Sequence, residues 1–279
     1  MGKFDRVLLA CDFDNTLVYT EPALVAGEPL PSLTAENREA LESFTAQGGH
    51  FAVATGRALA AMQAIAPGLP INTPCVLCNG AALYDFARGE YLDCNLLDEA
   101  ALRRGQALLD DFPTLAVEAY HIGNVVHAVR PNEHVRRHEH LTHVGTEEKP
   151  SLLEVPLPLG KFIFEDDHAT LQAARRRMAE WGWDADYEIV FSRDNLLEVT
   201  AKGANKGGMV LRLAERLGIA REDICCMGDE ANDLSMLRAA GHAFAPANGT
   251  DAVKAVSTVV SHAESRAVAD VVDLLDRLY

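Results

Sequence analysis

The chain has 279 residues, enough for one large domain or two ordinary ones, and its 48% hydrophobic and 24% charged content is that of a globular protein with a full core. A formal net charge of −16 argues against nucleic acid or an anionic membrane as the main partner, because both recruit cationic surface; an anionic substrate must be held locally, by a few Lys or Arg or a bound divalent cation. No apolar run approaches the roughly 18 residues of a membrane span, Val7 to Cys11 is too short for a signal-peptide core, and most of the six cysteines lie in apolar, strand-like segments, so a reduced cytoplasmic protein is expected.

Val7-Leu8-Leu9-Ala10-Cys11 reads as a strand buried on both faces, and Asp12-Phe13-Asp14-Asn15-Thr16 follows it. A turn-rich stretch runs to about Ser32. Thr34 then caps a helix predicted to reach Gln47, where Gly48-Gly49 stops it. Phe51 to Ala54 is a second short strand, ending at Thr55-Gly56-Arg57, and a helix is predicted from there to about Ile65. Val76-Leu77-Cys78 is a third strand ending at Asn79-Gly80; the C-x-x-C formed by Cys75 and Cys78 lies within it and reads as core thiols. This rhythm predicts an α/β fold, a doubly wound parallel sheet with right-handed crossovers.

The middle of the chain is patterned differently. A helix is predicted over Asp98 to Phe112, then a hairpin of Leu115 to Tyr120 and Asn124 to Val129. A strand at Lys161 to Phe164, a helix from His168 to Trp181, and a second hairpin of Tyr187 to Phe191 and Leu196 to Thr200 complete it. Helices beside antiparallel hairpins predict a separate α+β domain at residues 83–199, inserted into a core of residues 1–82 and 200–279. In the last third the alternation returns: a helix at Gly207 to Leu217, a strand at Asp223 to Met227, a helix at Asp233 to Ala240, strands at His242 to Ala245 and Val259-Val260, and a closing helix at Ala267 to Leu278.

Four polar motifs fall at predicted strand ends, where open α/β sheets bind ligands. Of Asp12 and Asp14, one could be a nucleophile or metal ligand and the other an acid or base. Thr55 with the Gly56 N–H suits a phosphate oxygen. A Lys in Lys202-Gly203-Ala204-Asn205-Lys206-Gly207 can aim at a phosphoryl group. Gly228-Asp229-Glu230-Ala231-Asn232-Asp233 supplies carboxylates for a hard divalent cation, with Asp233 able to orient its surroundings. Each alone has an ordinary reading as a capped turn or solvated loop. Together they supply what phosphoryl transfer needs.

In order and context these residues resemble the haloacid dehalogenase-like superfamily, and most nearly its Cof-type phosphatases with a C2B cap. Asn79-Gly80-Ala81, Lys206-Gly207 and Ala247-Asn248-Gly249 extend the resemblance over essentially the whole chain. It implies a Rossmann-like core with an α+β cap that closes over it. The implied reaction is Mg²⁺-dependent hydrolysis of a small phosphorylated metabolite, such as a sugar phosphate, by a monomer or homodimer. Asp12 would be the nucleophile that becomes an aspartyl-phosphate, and Asp14 the acid and then the base. Mg²⁺ would lie on Asp12, the Asp14 carbonyl and Asp229, supported by Asp233. Thr55, Gly56, Lys206 and Asn232 would hold the phosphate.

The family also contains phosphomutases that use the same intermediate, and a non-catalytic binding protein is the reading from another class. Two departures stand out: Asn15 occupies a place where the Cof group usually has Gly, and Glu264-Ser265-Arg266-Ala267 lacks a Gly often found there. Within the insert, Arg130, Lys161 and Arg193 are read as surface charges, with substrate contact as the alternative. His134 and His138 have the i, i+4 spacing of metal ligands on a helix; without an ordered acidic partner in the sequence, the group of His134, His138, His140 and His143 is read as a solvated face. Trp181 and Trp183 are read as packing.

Overall fold

A computed structural model describes residues 2–263 and 266–279, so the departure at Glu264-Ser265 lies outside the described residues. The chain forms two compact units, one of Met1–Gly56, Gln63–Asp93 and Asn205–Tyr279, the other of Arg57–Met62 and Cys94–Ala204.

The first unit is built on five parallel strands in the order Thr258–Val259, His242–Ala245, Ile224–Met227, Leu8–Cys11, His50–Val53. Leu8–Cys11 and Ile224–Met227 are buried at every position, which explains their unbroken apolar sequences: helices cover both faces of a parallel sheet. Cys11 lies opposite Met227 on one side and Val53 on the other. Three strands therefore end level, and the residues after them emerge at one edge. The order reverses at Leu8–Cys11, the kind of switch point where doubly wound sheets bind ligands.

The flanking helices follow their caps. Thr34 Oγ1 accepts from the Asn37 N–H at 3.3 Å and starts Ala35–Ala46. The closing helix, Ala267–Leu278, lies where the pattern placed it, with Val268, Val271, Val272 and Leu275 buried on one face.

Four expectations change. The predicted third strand, Cys75–Leu77, meets the parallel sheet only through a bridge from Ala54 to Val76, and pairs antiparallel with Ala82–Asp85 in a three-stranded sheet that Glu90–Cys94 completes. The cause is the turn between them. Asn79 (φ 54°) and Gly80 (φ 98°) are both left-handed, and a Cβ on Gly80 would lie 2.2 Å from the Asn205 carbonyl. This hairpin keeps residues 83–93 with the first unit, whereas the sequence pattern began the insert at 83. The helix predicted to Ile65 is only Leu59–Met62, because Pro67 opens a separate 3₁₀ turn at Ala66–Gly68. The turn-rich stretch holds a short helix, Glu21–Ala26, with Pro22 in its first turn and left-handed Gly27 at its end.

The second unit has a six-stranded sheet in the order Tyr187–Arg193, Leu196–Ala201, Leu159–Glu165, Ala116–His121, Val126–Val129, Glu147–Lys149, antiparallel except for the last pair. Glu147–Lys149 escaped the sequence reading, being a short, charged edge strand with no apolar pattern. One face places Val117, Ala119, Phe162, Phe164, Leu197 and Val199 against helices Glu99–Asp111 and His168–Glu180, with Trp183 buried among them. Trp181 remains partly exposed beside the Arg177 guanidinium. Pleat alternation puts Glu118, Tyr120, Lys161, Ile163, Glu165 and Glu198 on the opposite face.

That face corrects two readings. Lys161 is not a surface charge: it is buried and donates to Glu198 Oε2 at 2.7 Å. His138 is not on a solvated face. Helix Glu133–Thr142 turns it toward the sheet, with Nδ1 at 2.9 Å from Glu118 Oε2 and 3.3 Å from Glu165 Oε1. Arg130 is a surface residue engaged with Asp110 at 2.8 Å. None of the six cysteines is in a disulfide among the described residues, and all but Cys94 are buried; burial pushes the Cys75 thiol up to about 12, so the C-x-x-C is an inert core feature.

Candidate active site

At the shared strand edge, Asp12 extends the ladder by donating its N–H to Met227 O at 2.9 Å. The chain then folds back at once: Leu17 N–H donates to Asp12 O at 3.2 Å and Val18 N–H to Phe13 O at 2.9 Å. The tight return forces Asn15 to a left-handed φ of 57°, with its N–H on Val18 O at 2.7 Å. Asn is the non-glycine residue best suited to that conformation. The Asn15 side chain also serves the next element, its Oδ1 accepting from the Glu21 N–H at 3.0 Å.

Lys206 is the centre of the charge arrangement. It is wholly buried in the first turn of helix Lys206–Leu217, capped by Asn205, whose Oδ1 accepts from the Gly208 N–H at 2.8 Å. A cation at a helix N-terminus opposes the dipole. Two carboxylates offset this, with Nζ donating to Asp12 Oδ1 at 2.5 Å and to Asp233 Oδ1 at 2.6 Å. Asp233 is itself fixed, because its Oδ2 accepts from the Asp229 and Glu230 N–H groups at 2.9 and 3.0 Å. Gly228 is required there, since a Cβ would lie 2.4 Å from the Asp233 side chain. Asp229 accepts from Thr16 Oγ1 at 2.6 Å, and its carbonyl accepts from the Thr250 N–H at 2.9 Å.

Asp12, Asp229 and Asp233 thus present carboxylate oxygens within 4.8 Å of one another, all buried. Burial pushes Asp229 up to about 9, with the Asp12 and Asp233 carboxylates adding to it, and pushes Asp12 up to about 7 against the pull of Lys206. The carboxylates hold Lys206 well above its usual range despite burial. Three carboxylates face one ammonium. The charge excess and the all-oxygen donors fit a hard divalent cation such as Mg²⁺.

The remaining predicted residues lie around this centre. Asp14 is half-buried and accepts from Thr20 Oγ1 at 2.7 Å. Thr55 is buried, and its carbonyl accepts from the Asn79 N–H at 3.0 Å. Asn79 Oδ1 also accepts from Asn232 Nδ2 at 3.1 Å, and a Cβ on Gly56 would lie 3.0 Å from the same oxygen. Asn79 therefore ties the Thr55-Gly56 end to Asn232. Lys202, the alternative lysine, is exposed and donates to Asp184 O at 3.0 Å. Thr16, Thr20 and the linking role of Asn79 escaped the sequence reading; the hydroxyls closely following two carboxylates were the available signal.

A parallel switch-point sheet carrying this carboxylate–lysine centre defines a class. The chain belongs to the haloacid dehalogenase-like hydrolases, whose family model matches residues 9–272. Its relatives include the pyridoxal phosphate phosphatase YbhA of Escherichia coli (strain K12), 27% identical over 91% of this chain and 92% of that protein. Another is the 5-amino-6-(5-phospho-D-ribitylamino)uracil phosphatase YcsE of Bacillus subtilis (strain 168), 25% identical over 92% of this chain and 90% of that protein. The fold matches a haloacid dehalogenase-like hydrolase from Bacteroides thetaiotaomicron with a TM-score of 0.80 at 22% identity, over 99% of this chain and 100% of the other. The subclass IIB sugar phosphatase BT4131 matches equally well, with a TM-score of 0.80 at 20% identity over 98% of both chains. No described helix is long and apolar enough to cross a membrane.

Proposed function

We propose that the protein is a Mg²⁺-dependent phosphatase of small phosphorylated metabolites, sugar phosphates and related polyol phosphates among them. The observation that carries this reading is Asp12 at the end of the switch-point strand Leu8–Cys11, held by Lys206 at 2.5 Å beside Asp229. The named substrates of YbhA and YcsE, both small phosphorylated molecules, support the substrate class.

In this mechanism a carboxylate oxygen of Asp12 attacks phosphorus in line. The P–O bond to the leaving group breaks, and Asp14 gives the departing oxygen its proton. Asp14, now a carboxylate, takes a proton from water as that water attacks the aspartyl-phosphate. Inorganic phosphate leaves and Asp12 is restored. Lys206, the Gly56 N–H, the Thr55 hydroxyl and Asn232 hold the phosphoryl oxygens. Asp12, Asp229 and the Asp14 carbonyl are the groups that would hold Mg²⁺, with Asp233 fixing Lys206 and the Asp229 backbone; the bound ion supplies positive charge against the transferring phosphoryl group. The Thr20 hydroxyl, donating to Asp14 Oδ1 at 2.7 Å, helps fix the orientation of that carboxyl.

The test is hydrolysis of p-nitrophenyl phosphate and a panel of sugar, cofactor and nucleotide phosphates, with and without Mg²⁺. Release of phosphate that needs Mg²⁺ and disappears in Asp12→Asn supports the reading. An inactive wild-type protein across the panel, or an Asp12→Asn variant of unchanged rate, contradicts it.

A further inference from the structure

A second cluster of ionisable groups lies in the second unit, outside the site above. Glu118 and Glu165 stand on neighbouring strands, Ala116–His121 and Leu159–Glu165, on the same sheet face. Helix Glu133–Thr142 packs on that face through Val135, against Ala116 and Ala128. It thereby places His138 Nδ1 at 2.9 Å from Glu118 Oε2 and 3.3 Å from Glu165 Oε1. The two glutamates are at most 1% exposed.

The cluster is not satisfied by its own hydrogens. Nδ1 carries one proton at most, and the geometry gives it to Glu118. Glu118 also accepts from the Tyr120 hydroxyl at 2.6 Å. Glu165 is then left fully buried with neither carboxylate oxygen hydrogen-bonded among the described residues, and its Oε1 points toward the imidazole. A buried carboxylate in that condition is costly. With both glutamates ionised the charge does not balance: protonated His138 offers one positive charge to two carboxylates, Lys161 is engaged by Glu198 at 2.7 Å, and burial with the Glu118 charge pushes Glu165 up to about 7 against the pull of His138. A divalent cation with a neutral imidazole balances both carboxylates.

We propose that Glu118, His138 and Glu165 form a binding site for a divalent transition-metal ion of the Zn²⁺, Co²⁺ or Mn²⁺ type. Oxygen and nitrogen ligands on an ion with bonds of about 2.0–2.1 Å and angles of about 90–110° stand roughly 2.9–3.4 Å apart, and the Nδ1 to oxygen distances here are 2.9 and 3.3 Å. A mixed imidazole–carboxylate set favours transition metals over Mg²⁺ or Ca²⁺. Tyr120 orients Glu118 by its hydrogen bond, as a supporting partner of a metal ligand does. The His138 side chain is 15% exposed and provides the route of entry. Three protein ligands leave a coordination position for water or an anion. The ion clips the helix to the sheet.

The test uses the full-length chain, stripped with chelator and titrated with Zn²⁺ by calorimetry in saturating Mg²⁺. The Asp229→Asn background separates this site from the core. The expected result is one Zn²⁺ per chain in Asp229→Asn. Adding Glu165→Gln or His138→Gln weakens it by more than the roughly 10- to 100-fold that losing a mere supporting partner costs. Co²⁺ should give visible ligand-field absorption in Asp229→Asn that disappears with Glu165→Gln. Far-UV circular dichroism checks that the variants fold, and Glu118→Gln replaces any that does not. No Zn²⁺ or Co²⁺ binding in Asp229→Asn, or binding unchanged by these substitutions, overturns the proposal.

Discussion

The two units each bury a cluster of carboxylates around one basic group, and they do so with opposite completeness. In the core, Lys206 has three hydrogens, and it reaches Asp12 and Asp233 at 2.5 and 2.6 Å while backbone N–H groups occupy the other Asp233 oxygen. In the second unit, the single Nδ1 proton of His138 serves Glu118 and leaves Glu165 without a hydrogen bond among the described residues. The difference lies in the basic group. An ammonium can bridge two carboxylates and remain charged, whereas an imidazole nitrogen can donate once or accept a metal. The core is braced by its own hydrogens, and the second cluster falls one hydrogen short.

The largest expected effect is chemical. Asp12→Asn should lower the hydrolysis rate by about 10⁴-fold or more with the fold intact, since a missing nucleophile is not replaced by its neighbours. Asp14→Asn should cost about 10²- to 10⁴-fold with alkyl phosphates, the usual worth of a general acid–base group. Rate measurements on folded variants check both, and an Asp14→Asn loss equal to that of Asp12→Asn for every leaving group would contradict the division of roles.

Next in size is the stability of the two clusters. Lys206→Met strands Asp12 and Asp233 in a buried space and should destabilise the protein by about 3–5 kcal/mol in a urea titration. Glu165→Gln should act in the other direction: in metal-free protein at pH 8 it removes one of two buried carboxylates that share the single His138 charge, so stability rises by about 1 kcal/mol. If both substitutions destabilise alike, the contrast between the clusters is wrong.

The pH dependence follows from the raised carboxyls. Burial holds Asp229 up to about 9 in the folded chain against 3.8 for the free group. Between these values the metal-free native state keeps a proton that the unfolded chain has lost. Stability should therefore fall as pH rises through that window. Mg²⁺ must displace the same proton, so its affinity should climb with pH up to about 9. Thermal melts with and without Mg²⁺ between pH 6 and 9 read both trends; a metal-free melting point that rises with pH contradicts them. A comparably small effect is expected at Asn15. Asn15→Ala keeps the left-handed turn at a cost of about 1–2 kcal/mol, while Asn15→Gly should lose less.

The same contrast governs what could be read from sequence. The core site is written in short, contiguous motifs at strand ends, so Asp12, Asp14 and Gly228 to Asp233 are legible in the sequence, and the level register of three strands brings them to one edge. The bracing of Lys206 by Asp233 was not legible, because it depends on a close approach across Gly228. Nor was the reversal after Leu77, where left-handed Asn79 and Gly80 turn an apparent crossover into a hairpin. In the second unit the i, i+4 spacing drew attention to His134 and His138. The true partners of His138 lie on two strands distant in the chain, and alternation within a strand does not say which face a helix will cover.

The most direct measurement is a pre-steady-state burst with Asp14→Asn and p-nitrophenyl phosphate in Mg²⁺. This leaving group needs no protonation, so the first step survives while hydrolysis of the intermediate is slowed. The expected result is a burst of one nitrophenolate per chain, with acid-quenched protein carrying a phosphoryl group on the peptide that contains Asp12. A linear time course with no phosphorylated peptide, or a phosphoryl group on a different residue, would contradict Asp12 as the nucleophile.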